Sequence, residues 1–184
     1  MVEVRRLALD GLLEIRPERF VDDRGFFSET WNVAAWREAG IDIDFVQDNH
    51  SLSRARGTLR GLHFQAPSFA QAKLVRVSRG AIFDVAVDLR SQSPTYRHWA
   101  GVTLSAAEWN QLLIPEGFAH GFLTLEPDTE VQYKASAAYS PRHDRAIRFD
   151  DPAITIDWPL SAAELILSDR DRAAPLLADV ETGF

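Results

Sequence analysis

Residues 81–89 read AIFDVAVDL, and this stretch decides the fold. Phe83, Val85, Val87 and Leu89 alternate with Ile82, Asp84, Ala86 and Asp88, the period-two pattern of a strand with two different faces. Outward in both directions the chain runs in short stretches rich in Val, Ile, Phe, Thr and Trp, broken by Gly, Pro, Asp and Ser. Strands are expected at 13–20, 26–31, 45–52, 58–65, 73–78, 81–89, 99–104, 111–114, 121–125, 129–137 and 145–149. Helical signals are few: Asn32 is placed to cap a helix over 33–39 that Gly40 stops, and a turn is expected near 161–165. Strands this closely spaced leave no room for βαβ crossovers, which excludes a dinucleotide-binding α/β sheet. The expectation is an all-β chain, a jelly-roll β-barrel with a few short peripheral helices.

The chain has 184 residues, room for a single domain over 1–184, with an ordinary 46% apolar and 26% charged composition. It has no cysteine, so disulfides, thiolate metal sites and cysteine nucleophiles are excluded. No apolar run is long enough to span a membrane and the first residues lack a signal-peptide core, so a cytoplasmic protein is expected. A net charge of −7 argues against nucleic-acid binding. The charge is uneven: residues 51–83 hold no Asp or Glu but carry Arg54, Arg56, Arg60, Lys73, Arg76 and Arg79. Such an island suits a local anionic ligand, although on charge alone a solvated Arg-rich strand face explains it as well.

Two segments narrow the reading. GTLRGLHFQ (57–65), followed by KLVRVSRG (73–80), and PEGFAHGFLT (115–124) resemble the two signature segments of the cupin superfamily of small jelly-roll barrels. Metal-binding cupins place two His and a Glu in the first segment and a His in the second. Here His63 and His120 stand at two of those places, Gln65 at the second His and Lys73 at the Glu. An ammonium in the ligand shell repels a divalent ion, so the expectation is a barrel without a metal. Imidazole is suited to proton transfer near neutrality, and an adjacent ammonium to holding an oxyanion. Together they suit removal of a proton next to a carbonyl.

The chain further resembles the dTDP-4-dehydrorhamnose 3,5-epimerases over most of its length. The matching pieces, in family order, are DDRGFFSET (22–30), QDNHSLS (47–53), GTLRGLHFQ (57–65), QAKLVRVSRGAIFDVAVDLR (71–90), SPTY (93–96), IPEGFAHGFLTL (114–125), VQYKASAAY (131–139), DDPAITIDWP (150–159) and LSDRD (167–171). The resemblance implies a cofactor-independent isomerase that inverts C3 and C5 of dTDP-4-dehydro-6-deoxy-D-glucose through enolates next to the C4 ketone. By the same resemblance His63 is the base, Asp171 its carboxylate partner and Tyr133 the proton donor on the opposite sugar face, with Asp169 the alternative partner of His63. Tyr139 matches the residue that stacks on thymine. Arg24, Glu29, Gln47, Asn49, Arg60, Lys73 and His120 match ligand-contact positions, with Arg60 and Arg24 suited to the diphosphate. Asp144 and Arg170 stand where the family has Glu and Lys, keeping the charge with altered reach.

A homodimer with N-terminal strands crossing between subunits is also implied, with 26–31 a suitable edge. One tension lies in Arg60, which a regular strand puts on the face opposite His63; a bulge at Gly61 or a second subunit would resolve it. Rival readings are a single-centre epimerase of another deoxysugar pathway, a non-catalytic nucleotide-sugar-binding cupin and, last, a metal-dependent cupin enzyme.

Overall fold

Ala81–Asp88 is a strand, as its alternation requires, and pairs antiparallel with Phe118–Thr124 on one side and Trp99–Ser105 on the other. The computed structural model describes residues 2–184. In chain order its strands are β1 (Glu3–Arg6), β2 (Leu13–Arg16), β3 (Phe20–Asp22), β4 (Gly25–Phe27), β5 (Gln47–Ser53), β6 (Leu59–Gln65), β7 (Lys73–Arg79), β8 (Ala81–Asp88), β9 (Trp99–Ser105), β10 (Gln111–Ile114), β11 (Phe118–Thr124), β12 (Thr129–Ala135) and β13 (Asp144–Ala146). Two short helices, α1 (Val33–Glu38) and α2 (Asp169–Arg172), lie outside them. One sheet has the order β1-β2-β10-β7-β12-β5, a second β13-β6-β11-β8-β9, and β3-β4 forms a separate hairpin. Every pairing between these strands is antiparallel, and the two large sheets stack face to face as the jelly roll expected from the sequence.

Strand parity sorts the side chains into layers. Val75 and Val77 of β7, Leu112 and Ile114 of β10, and Val131 of β12 meet Ile82 and Ala86 of β8, Leu104 of β9, and Phe118 and Phe122 of β11 between the sheets. The opposite face of the five-stranded sheet, with Leu62, Phe64, Val85 and Val87, is covered by Ile147, Ile154 and Leu177 from the C-terminal segment. On the six-stranded sheet, Ile15, Leu74 and Leu113 are covered by Trp36 and Ile41. Trp36 is fully buried on α1, whose start is fixed by Asn32 Oδ1 accepting from the N–H groups of Ala34 and Ala35. Each large apolar side chain so buried contributes about 1.5–3 kcal/mol.

Several boundaries differ from the sequence reading. The first expected strand, 13–20, stops at Arg16 because Pro17 has no N–H to continue the ladder, and Phe20 opens a new hairpin. The run 26–31 is a strand only at Gly25–Phe27. The expected strand 145–149 is instead Asp144–Ala146. The turn near 161–165 is one 3-10 turn, Ala162–Glu164, closed by Ser161 and Glu164. Helix α2 and strand β1 were not foreseen.

Candidate active site

In β6 the parity that sends Leu62 and Phe64 outward turns His63 and Gln65 into the space between the sheets. Lys73 at the start of β7, His120 in β11 and Tyr133 in β12 open on the same space. Together they line a cavity of about 600 Å³. Arg60 lines it too, and the expected conflict of faces is resolved by a bulge. Opposite β11, His63 pairs with His120 but Arg60 pairs with Phe122, so Gly61 and Leu62 face Gly121 alone. Gly61 has φ +124, and a Cβ there would lie 2.6 Å from the Gly121 Cα.

His63 Nε2 lies 2.5 Å from Asp171 Oδ1. Asp171 begins its approach from Ser168, which caps α2 by accepting the Asp171 N–H and donates its own hydroxyl to Asp171 Oδ2 at 2.9 Å. Burial works to raise the Asp171 carboxyl, but the His63 ring, Ser168 and the Gly61 N–H outweigh it and leave it below the usual carboxylate range. Asp169 is exposed, so of the two candidate partners the geometry selects Asp171.

A second pair sits beside the first. His120 Nε2 lies 2.6 Å from Asp84 Oδ1, with Asp84 wholly buried and its Oδ2 without a hydrogen-bond partner. Burial pushes the His120 ring towards neutrality against the pull of Asp84, and the Lys73 and His63 charges add to that push. Lys73 is 9% exposed, its Nζ 3.5 Å from the His63 carbonyl and 5.9 Å from the Tyr133 ring centre. Burial lowers its ammonium from 10.5 to about 8, with Asp84 and Asp144 opposing the fall. Burial raises the Tyr133 phenol, helped by Asp144 against Arg60, so the hydroxyl is protonated near neutral pH. Neither imidazole has a free Nε2 for an ion, and among the described residues no group of three or more His, Asp or Glu side chains converges as a metal site.

At the mouth, Tyr139, Asp144 and Arg170 form one cluster: Asp144 Oδ2 accepts from the Tyr139 hydroxyl at 3.1 Å and from Arg170 Nη2 at 2.8 Å. The two positions read as departures from the family pattern therefore meet each other. Four expected contacts lie elsewhere. Arg24 is 90% exposed and paired with Asp22, because it sits at the tip of the β3–β4 hairpin. Glu29 accepts from Asn32 Nδ2 ahead of α1. Gln47 spends its side chain on Asn49 and on the Tyr139 N–H. Asn49 borders a separate hollow of about 250 Å³ with Arg76 and Gln111.

The basic island does not act as one unit. Lys73 and Arg60 reach the cavity, while Arg76, three residues from Lys73, points out of the opposite face towards Gln132 and Arg56 pairs with Glu164. Asp84 and Ser168 escaped the sequence reading. Asp84 carried a signal, being an acid in the middle of an otherwise apolar strand at the inward parity of Ile82 and Ala86, whereas Asp88 at the same parity ends the strand.

The model of the family described as dTDP-4-dehydrorhamnose 3,5-epimerase matches residues 6–179. The chain belongs to that family. An epimerase of the same description from Methanothermobacter thermautotrophicus is 53% identical over 175 residues, 94% of each chain. A crystal structure of the Bacillus anthracis epimerase with TDP and PPi bound superposes with a TM-score of 0.93 at 47% identity, covering 96% of this chain and 100% of that one. The Legionella pneumophila enzyme, in complex with dTDP-4-keto-L-rhamnose, gives 0.93 at 42% identity, covering 98% and 95%. Family membership makes the chain an isomerase of cupin fold. No described helix is long and apolar enough to cross a membrane.

Proposed function

We propose that the cavity inverts C3 and C5 of dTDP-4-dehydro-6-deoxy-D-glucose, giving dTDP-4-dehydro-L-rhamnose without a cofactor. The observation that carries this is the His63–Asp171 pair opening onto the cavity that holds Lys73 and Tyr133. With the Nε2–H given to Asp171, Nδ1 of His63 is left as the base, and Asp171 stabilises the imidazolium once it forms. The hydrogens at C3 and C5 both flank the C4 ketone, so either one leaves as a proton to His63 and its electron pair becomes an enolate. The Lys73 ammonium faces that oxygen. Tyr133, protonated, returns a proton to the other face; solvent then reprotonates its phenolate and takes up the proton from His63, which resets both groups for the second carbon. Neutral His120 gives Nε2–H to Asp84 and offers a lone pair to a sugar hydroxyl.

Tyr139 is the platform for the thymine ring, with Arg60 and Arg170 on the diphosphate side. The protein acts as a homodimer. The β3–β4 hairpin exposes Phe20, Val21, Phe26 and Phe27, an apolar arm suited to a second copy that would carry Arg24 and Glu29 to the partner's cavity. Mixing Arg24→Ala with His63→Ala subunits tests this: activity regained on mixing supports a shared site, and none regained refutes it. Incubation with the 4-keto-6-deoxyglucose nucleotide in deuterated water, followed by NMR, tests the reaction. Deuterium at both C3 and C5 with formation of the L-rhamno product is expected; uptake at one carbon makes it a single-centre epimerase, and binding without uptake makes it a sugar-binding cupin.

A further inference from the structure

Gln65 is 4% exposed, and its amide is occupied by main chain from two separate loops. Nε2 donates to the Phe69 carbonyl at 2.7 Å and to the Ala138 carbonyl at 3.2 Å, and Oε1 accepts from the Ser140 N–H at 2.6 Å. The pattern admits one orientation of the amide, since a flip would set oxygen against both carbonyls. Gln47 reaches the same segment from β5, Oε1 accepting from the Tyr139 N–H at 2.9 Å. Thus Ala138, Tyr139 and Ser140, consecutive residues between the end of β12 at Ala135 and the start of β13 at Asp144, are each tied to a glutamine. The segment is outside the sheet ladders, and what fixes its path also fixes where the exposed Tyr139 ring stands.

We propose that Gln65 is a positioning residue for nucleotide binding: it clamps the 138–140 segment to the turn at Phe69, and so holds Tyr139 where its ring meets a planar base. The proposal rests on the reading of Tyr139 given above. Gln65 stands two residues from His63 on the same inward face, so one strand supplies the proposed base and the clamp. Glutamine suits the place because glutamate has no N–H to give the two carbonyls and asparagine is one methylene short.

The test measures dTDP affinity by calorimetry, kcat and KM, and amide exchange over 137–140 for Gln65→Met and Gln65→Asn, alone and combined with Tyr139→Ala. Affinity and KM are expected to worsen about tenfold in Gln65→Met, the scale of one lost base–aromatic contact. The same substitution should leave kcat within about twofold and cost less than about twofold more once Tyr139 is alanine. Losses that multiply in the double variant, or a fall in kcat with dTDP affinity kept, would overturn the proposal. Gln65→Asn carries the same comparison if Gln65→Met does not fold. Unchanged dTDP affinity in Tyr139→Ala refutes the stacking role itself, and amide exchange separates that failure from a failed clamp. Faster exchange at Tyr139 and Ser140 in Gln65→Met supports the clamp, and exchange at the parent rate overturns it.

Discussion

His63 and His120 stand opposite each other on neighbouring strands, and each turns Nε2 to a carboxylate at nearly the same distance, 2.5 and 2.6 Å. What separates them is solvent. The His63 side chain is 31% exposed against 7% for His120, and its partner comes from a C-terminal helix rather than from the sheet. Both rings line the cavity, but the more exposed one can exchange a proton with solvent, whereas burial pushes the His120 ring beside Lys73 towards neutrality. On the proposed function, the same pair chemistry would serve proton transfer at His63 and substrate binding at His120, with burial making the difference.

The widest gap is expected between the histidines. His63→Ala should lower turnover by about 10³- to 10⁴-fold and abolish deuterium uptake, whereas His120→Ala should cost about tenfold, mostly in KM. Equal losses would break the contrast. Between the carboxylates the effects should diverge in kind. Asp171→Asn is expected to cost about 10²-fold in kcat with a near-parent urea midpoint. Asp84→Asn should instead destabilise the fold by about 3 kcal/mol, since it removes one member of a buried pair. Urea titration of both variants checks this.

Lys73 sharpens the comparison through pH. Its folded-state value of about 8 means that the charge proposed to stabilise the enolate is present below pH 8 and lost above it, so kcat/KM should fall on that side. Lys73→Arg should move the fall to higher pH. Stability runs the other way: a lysine depressed from 10.5 weakens the fold while charged, and that penalty is relieved as pH rises from about 8 to 10.5. Lys73→Met should therefore be the more stable chain at pH 7, by on the order of 2 kcal/mol, though inactive. The smallest effect is expected at the mouth, where Arg170→Lys keeps the charge and should change KM by about threefold at most.

The sequence made some of this legible for physical reasons. Alternation in 81–89 specified β8, and the Asn32 cap specified α1, because both signals are local. Helix α2 has four residues, DRDR, too few for any periodicity to show, and the end of β2 turned on the missing N–H of Pro17. In the site, His63 lay in a distinctive motif, but its bond to Asp171 spans 108 residues and no local pattern announces it. Only the family resemblance pointed there. Parity alone misplaced Arg60, yet the conflict itself pointed to Gly61, where the bulge lies.

That bulge carries a lesson for anyone re-engineering the cavity. The phase slip at Gly61 and Gly121 splits β6 into two registers, one carrying Arg60 and the other His63 into the same cavity. A methyl group on Gly61 would collide with the Gly121 backbone and force a shift at the one point whose slip lets Arg60 and His63 share a cavity.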